Sequence, residues 1–191
     1  MVASAGYACS AAFHVEVGKL VTEYTFAPQA LTREAFAPFG DVVETRGASH
    51  FPINRGAVER FHDLARVDVG DASEGRAAIS VARCMTPTVA PVRVQLVERH
   101  MLGSQAFIPL SVDPFLVVVA PLGDIVDVNQ LQAFISNGSQ GINYASGTWH
   151  APLMAMVADQ EFIVVDRVGP GDNCEEWIFD ESDEILIVTE P

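Results

Sequence analysis

The sequence predicts an all-β domain, folded as an antiparallel sandwich or barrel with a few short helices at its periphery. Three observations predict this fold class: short segments rich in Val, Ile and Phe, turn-forming residues at close spacing between them, and no helix-length segment among them. The 191 residues are 49% hydrophobic and 19% charged, so the chain has ample apolar material for one core.

The predicted strands follow one another through most of the chain. Turn-formers such as Thr86-Pro87 and Asn137-Gly138 separate them. The stretch 141–152 is interpreted as rich in loop. In chain order, strands are predicted at 78–84, 92–100, 105–110, 115–120, 131–136, 162–166 and 185–189.

One helix signal precedes these strands. Thr32 can cap the N-terminus of a short helix that Gly40 ends, and this helix would place Phe36 and Phe39 against the outside of the barrel. The segment 127–131 is predicted to form a second short turn of helix.

Domain organisation and location follow from composition. Residues 1–28 are interpreted as an N-terminal extension of unknown role, and 29–191 as a single domain, because no linker divides them. The first residues lack the basic region of a targeting signal. Cys9, Cys84 and Cys174 are an odd number without CxxC spacing, which favours free thiols and a cytoplasmic location.

The charge balance excludes two classes of partner. The formal net charge is −14, from 11 Lys+Arg and 25 Asp+Glu. This balance repels phosphate backbones and anionic lipid headgroups, so neither nucleic acid nor a membrane is an expected partner. No apolar run approaches the roughly 18 residues of a spanning helix.

Polar residues that interrupt an apolar strand mark the first candidate site, because burying them unpaired costs about 1–3 kcal/mol. Glu98 and His100 are two apart on one predicted strand, so they point to the same face while Arg99 points away. Gln105 joins them on that face if the intervening turn closes a hairpin. The structural alternative is a solvated strand face.

Two further segments contain candidate residues. One carries a histidine that can project into a cavity from a glycine turn, and its alternative is a histidine satisfied in the core. The other concentrates guanidinium, imidazole and amide groups, which suits an anionic ligand, and its alternative is a polar loop. The residues of the first segment are Asn143, Tyr144, Trp149 and His150, and those of the second are Asn54, Arg60 and His62.

A metal site is the alternative to a cofactor-free site. Two imidazoles, a carboxylate and an amide form a sparse donor set that could bind a divalent metal weakly, whereas a firm site would be better served by a third histidine. We therefore expect no required cofactor. The donors of such a site would be Glu98, His100, Gln105 and His150.

Two long motifs, ERHxLGxQAFIP and GxNYxxxxWHxPL, lie within residues 31–177. Through them the sequence resembles the ureidoglycolate lyase family of allantoin degradation over these residues. The resemblance implies a cupin-like double-stranded β-helix (jelly-roll) barrel, a homodimer, and a lyase that cleaves ureidoglycolate to glyoxylate and urea. The matching stretches are LTREAFAPFGDVVE from Leu31, INRGAVERFHDLARV from Ile53, VQLVERHMLGSQAFIPL from Val94, LQAFISNGSQGINYASGTWHAPL from Leu131 and FIVVDRVGPGDNCEEW from Phe162.

The same resemblance implies a cleft, and the chemistry of ureidoglycolate leads to a hypothesis for the roles within it. His100 or His150 would act as the base with Glu98 orienting it, and Arg60 would hold the substrate carboxylate. Gln105 and Asn143 would bind the ureido group. The cleft maps onto Asn54, Arg60, His62, Glu98, His100, Gln105, Tyr144, Trp149 and His150.

Three other functions stay open at this point. One is a metal-dependent cupin enzyme acting on another small carboxylic acid. The second is an amidohydrolase that releases ammonia from ureidoglycolate. The third is a cupin that binds a small acid without turning it over; no basic patch or DNA-binding motif accompanies the domain.

Overall fold

The computed structural model describes residues 10–16, 19–70 and 74–189 of the chain. These residues form β-sheets with little helix, so the prediction of an all-β fold is confirmed. The helical elements are α1 (Arg33–Phe36) and the 3-10 turns Asn54–Gly56 and Val128–Gln130. The strands are β1 (Ser10–Glu16), β2 (Lys19–Phe26), β3 (Gln29–Ala30), β4 (Gly40–Val43), β5 (His50–Ile53), β6 (Val58–Phe61), β7 (Arg76–Cys84), β8 (Val92–Arg93), β9 (Leu96–Arg99), β10 (Gln105–Pro109), β11 (Phe115–Ala120), β12 (Gln132–Ile135), β13 (Gly141–Tyr144), β14 (Trp149–His150), β15 (Met154–Ala155), β16 (Gln160–Val168), β17 (Glu175–Ile178) and β18 (Asp183–Ile187).

The strands divide into four sheets. A seven-stranded sheet has the order β17-β9-β14-β11-β12-β3, with β15 also paired to β11, and a five-stranded sheet has the order β4-β13-β10-β16-β7. A four-stranded sheet has the order β1-β2-β18-β8, and β5 pairs with β6 alone. Pairing is antiparallel except between β3 and β12 and between β2 and β18. This arrangement is consistent with the cupin-like fold, but in the described part of the chain the barrel is not closed.

Strand β11 lies at the centre of the molecule and is buried on both faces. Leu116 and Val118 pack in a cluster with Ile185 of the four-stranded sheet. Val117 and Val119, which point the other way, pack in a second cluster with residues of the five-stranded sheet. The seven-stranded sheet is therefore the middle of three layers, which is why β11 is a continuous apolar run rather than an alternating one.

Helix α1 begins as predicted but packs differently. Thr32 caps it by accepting a hydrogen bond from the Ala35 amide at 3.2 Å. The placement of Phe36 and Phe39 outside the sheets is wrong: both are almost completely buried in the cluster between the seven- and five-stranded sheets. The physical reason is that burying an aromatic side chain stabilises the fold by about 1.5–3 kcal/mol. Phe36 and Phe39 become buried by packing against Phe134 in the interior.

Gly40 starts strand β4 rather than ending the helix, which stops at Phe36. Its φ is +146°, and a Cβ at this position would lie 2.0 Å from the backbone oxygen of Asn143. The glycine therefore permits the close pairing of β4 with β13.

The predicted strands are found with shifted ends, with two corrections. The segment 92–100 breaks into β8 and β9, which join different sheets. The stretch predicted as loop, 141–152, contains β13 and β14, because Ile142 and Trp149 bury their side chains on the two opposite faces of the molecule's middle layer. The turn at 127–131 is confirmed as a 3-10 turn.

Strands β1 and β2, which lie within the predicted extension 1–28, belong to the four-stranded sheet. Residues 1–9 and 17–18 of the predicted extension lie outside the described residues, and so does Cys9. Strand β2 pairs in parallel with β18, and its backbone is continuous with the sheet. The division into 1–28 and 29–191 stays a prediction.

Cys84 and Cys174 are free thiols. Within the described ranges, the helices are all too short and too polar to cross a bilayer.

Candidate active site

The interior between the seven- and five-stranded sheets holds a cluster of one carboxylate and two imidazoles. Glu98 on β9 pairs directly with His150 on β14, and His150 pairs in turn with Val119 of the buried strand β11. Glu98 Oε1 lies 3.5 Å from His150 Nε2 and 4.0 Å from His100 Nε2. The two imidazole rings are 5.3 Å apart. The structure thus brings together three residues that sequence reasoning took from two separate segments.

Both histidine rings are held in one orientation by backbone carbonyls. His150 Nδ1 lies 2.9 Å from the oxygen of Thr148, and His100 Nδ1 lies 2.6 Å from the oxygen of Asn173. A carbonyl only accepts, so each Nδ1 carries a hydrogen and each neutral ring keeps its lone pair on Nε2. Both Nε2 atoms are buried and have no hydrogen-bond partner in the described part of the protein.

The electrostatics of the cluster follow from this geometry. When its Nε2 carries a proton, the His150 imidazole hydrogen-bonds to Glu98 and, with a smaller effect of His100, holds the pKa of the Glu98 carboxyl below its usual range, although burial acts in the opposite direction. Two nitrogen lone pairs and a carboxylate that face one another repel unless a proton or a metal cation lies among them. The cluster is therefore built to bind a cation or to hold and release a proton.

Tyr144 and Trp149 belong to different surroundings. The Tyr144 ring stacks on His150 with centroids 4.0 Å apart and an interplanar angle of 16°, and burial raises the pKa of its hydroxyl. Trp149 is adjacent to His150 and so points to the opposite face, where Arg99 lies 4.5 Å from its ring centroid. Tyr144 therefore packs against the cluster, whereas Trp149 packs on the opposite face of strand β14.

A cavity of about 240 Å³ opens beside His100. Gln105 lines it, and the Gln105 side-chain oxygen is buried without a partner among the described residues. Cys174 Sγ lies 3.8 Å from Glu98 Oε2. The residues around the cavity are of polar or charged types, which suits a small polar ligand. The lining residues are His100, Ser104, Gln105, Asp166, Arg167, Asn173 and Cys174.

Asn143 does not face this cavity. It precedes Tyr144 on β13 and points to the other side of the five-stranded sheet. Its side-chain nitrogen donates to Asp41 Oδ2 at 3.1 Å and to the backbone oxygen of Arg66 at 3.0 Å. In this structure Asn143 fastens the segment around Arg66 to the sheet.

The third predicted segment forms the β5–β6 hairpin, a separate two-stranded sheet. Asn54, Arg60 and His62 are exposed on it. His62 contacts Phe51 of the same hairpin, with ring centroids 6.0 Å apart. None of the hydrogen bonds or ion pairs found in the described ranges joins these three residues to the Glu98 cluster.

Sequence reasoning missed five of the seven residues that line the cavity: Ser104, Asp166, Arg167, Asn173 and Cys174. Asp166 interrupts the apolar strand β16, which is the criterion that singled out Glu98 and could have found it. Asn173 fixes His100 through its backbone oxygen and caps the Leu102 amide with its side chain at 2.7 Å. Only tertiary structure brings Asn173 and Cys174 to the cavity, because nothing in their local sequence sets them apart.

The cluster also has the form of a metal site. One potential ligand atom from each of Glu98, His100 and His150 lies within 4.8 Å of the others. A cupin-like all-β fold with such a cluster at the edge of a small polar cavity defines the class of the protein: a cupin-like enzyme acting on a small polar molecule.

Comparison with known proteins gives the family. The family model described as ureidoglycolate lyase matches residues 23–186. The chain belongs to the ureidoglycolate lyase family.

Individual relatives agree over nearly their whole length. A ureidoglycolate lyase of Pseudomonas fluorescens (strain Pf0-1) is 49% identical over 163 residues, which are 85% of this chain and 96% of that relative. The ureidoglycolate lyases of Pseudomonas aeruginosa (strain LESB58) and Stutzerimonas stutzeri (strain A1501) are 48% and 49% identical, each over 85% of this chain and 95% of the relative.

Proposed function

We propose that the protein cleaves ureidoglycolate to glyoxylate and urea, as a lyase of allantoin and purine catabolism. Membership of the family supports the reaction. The observation that carries the proposal to particular residues is the convergence of two histidine Nε2 atoms on the Glu98 carboxylate beside a small polar cavity.

The reaction needs one proton to move from oxygen to nitrogen. The reacting carbon of ureidoglycolate carries a hydroxyl, a carboxylate and a ureido nitrogen. Removal of the hydroxyl proton lets the oxygen form the glyoxylate C=O bond as the carbon–nitrogen bond breaks, and the departing nitrogen takes up a proton to give urea. A single group that accepts the first proton and returns it to nitrogen completes the balance.

His100 is the proposed group, because it lines the cavity whereas His150 is buried under Tyr144. Its Nε2 accepts the hydroxyl proton while Nδ1 stays bonded to the Asn173 carbonyl. Glu98 stabilises the resulting imidazolium, and His150 keeps Glu98 ionised. Gln105 is proposed to receive the ureido group, since its unpaired oxygen lines the same cavity.

A divalent metal fits the same donors. Both Nε2 lone pairs face Glu98, and the backbone bonds at Nδ1 fix the rings as outer partners do for metal-ligating histidines. Glu98, His100 and His150 would hold the ion, with Gln105 adjacent, and a bound metal would supply Lewis-acid stabilisation of a developing oxyanion. A metal-dependent enzyme on another small acid is the second candidate that this donor set favours.

The assembly and location are also proposals. The exposed Ile79 and Val81 on β7, an edge strand of the five-stranded sheet, support a homodimer in which this edge is covered. The free thiols of Cys84 and Cys174 support a cytoplasmic location. Asn54, Arg60 and His62, which are exposed on the hairpin, stay predicted substrate-binding residues.

The nitrogen product tests the reaction type. We expect purified protein incubated with racemic ureidoglycolate to form no ammonia. Ammonia in place of urea would replace the lyase with an amidohydrolase. Activity on another small acid that is lost on chelation and regained with metal would favour the metal-dependent alternative.

A further inference from the structure

We propose that Asp166 recognises the ureido end of the substrate, with its two carboxylate oxygens accepting hydrogen bonds from the two ureido nitrogens. Gln105 accepts a further N–H bond through its side-chain oxygen. This inference rests on the proposed function and adds a specificity-determining residue to it.

The strand register places Asp166 on the interior wall. Phe162 and Val164 of β16 pack in the cluster between the two sheets, so Asp166, two residues further, shares their face. Val165 pairs with Ala106, which puts Asp166 next to Gln105 across the two strands.

Gln105 pairs on its other side with Tyr144. Three neighbouring strands therefore present Tyr144, Gln105 and Asp166 in one row facing the interior. Gln105 and Asp166 line the cavity that His100 also lines. Two members of the row, Gln105 and Asp166, thus belong to the wall of the cavity that the proposed base also lines.

The two acceptors of this wall, the Gln105 side-chain oxygen and the Asp166 carboxylate, receive no hydrogen bond from the described residues. The Gln105 oxygen is buried without a partner, and no hydrogen bond or ion pair of Asp166 is found within the described residues. Arg167 lines the same cavity, but no ion pair joins it to Asp166 among the described residues. Its guanidinium instead donates to the backbone oxygens of Val69 at 3.1 Å and Pro170 at 3.0 Å. A cavity wall with two adjacent acceptors is complementary to a ligand rich in N–H donors.

A ureido group is such a ligand. Its two nitrogens can present parallel N–H bonds at the spacing of two carboxylate oxygens, as a guanidinium does. The negative charge of Asp166 also repels the substrate carboxylate, which must then lie at the opposite end of the cavity. Asp166 thereby sets which end of ureidoglycolate enters first and places the scissile carbon towards His100.

Product inhibition separates the two ends of the substrate. In the Asp166→Asn variant we expect the inhibition constant of urea and the KM of ureidoglycolate to rise about ten- to hundredfold, since hydrogen bonds to a charged group are the strong ones. The inhibition constant of glyoxylate should stay within about threefold, because glyoxylate lacks the ureido group. Glu161→Gln, on the exposed face of the same strand, is the matched control and should change neither constant.

A second variant tests the inference even if Asp166→Asn does not fold. Gln105→Met, which removes the neighbouring acceptor, should weaken urea inhibition with glyoxylate inhibition preserved. Unchanged urea inhibition in folded Asp166→Asn, an equal rise of both inhibition constants, or a wild type that urea does not inhibit would overturn the inference. A wild type that does not turn over ureidoglycolate would instead refute the proposed function.

Discussion

His150 lies directly opposite Glu98 across the β9–β14 pair, with 3.5 Å between His150 Nε2 and Glu98 Oε1. The pairing is antiparallel and fixed by the burial of Val97 and Trp149 on the reverse face. The separation of the two groups is therefore set by the sheet rather than by a mobile loop, which is the preorganisation that a proton-transfer site needs.

The lowered pKa of Glu98 predicts a pH dependence of stability. A carboxyl whose pKa is lower in the folded than in the unfolded protein contributes stability above the unfolded value, near 4.5, and loses it as the pH falls through the folded value. We expect the melting temperature of wild type relative to Glu98→Gln to be constant above pH 4.5 and to fall below it. Thermal melts of both proteins across this range make the measurement; a difference that grows on acidification would contradict it.

Tyr144 is predicted to act through its ring. Tyr144→Phe keeps the stack on His150 and should retain kcat/KM within about threefold, whereas Tyr144→Ala should lower the free energy of unfolding by about 3–5 kcal/mol. Initial rates and chemical denaturation in guanidinium chloride test both. A large loss of activity in folded Tyr144→Phe would instead assign the hydroxyl to the chemistry.

The interior position of Phe36 predicts a large effect on stability. Phe36→Ala should lower the free energy of unfolding by about 3–5 kcal/mol, because the ring is fully buried against Phe134. Val112→Ala, at a side chain that is 85% exposed, is the matched control and should be near neutral. If Phe36→Ala lowered the free energy of unfolding by less than about 1 kcal/mol, this would contradict the interior position and favour the surface position predicted from sequence.

The donor atoms of Glu98, His100 and His150 predict one metal site whose affinity depends on His150. Calorimetric titration of metal-free wild type with Ni²⁺ or Mn²⁺ should show one site, and His150→Asn should bind at least about tenfold more weakly. His50→Asn, on the exposed hairpin, is the control. Equal binding by wild type and His150→Asn would remove the cluster as a metal site without bearing on its proton chemistry.

The part of the site that lies on one strand could be predicted from sequence, because side chains alternate between the two faces of a strand. Glu98 and His100 share a face because they are two apart, and Arg99 points away to Trp149, as expected. The pairing of Glu98 with His150 could not be predicted, because it depends on β14 entering the sheet between β9 and β11. Register over such sequence separations is set by tertiary packing.

The remaining differences have the same origin. Asn143 and Tyr144 are neighbours on one strand, so only one can face the interior, and the burial of Ile142 decides for Tyr144. The all-β class was predictable because short apolar segments recur throughout the chain. The side on which α1 packs was not, because a four-residue helix is too short for its periodicity to define a face.

We propose a lyase reaction at the Glu98 cluster. Its most direct test is to follow glyoxylate and urea during turnover of ureidoglycolate by wild type and by His100→Asn. Wild type should form equal amounts of the two products, and a folded His100→Asn should have a kcat/KM about 10²–10⁴-fold lower. Absence of urea from the wild-type reaction, or full activity in His100→Asn, would contradict it.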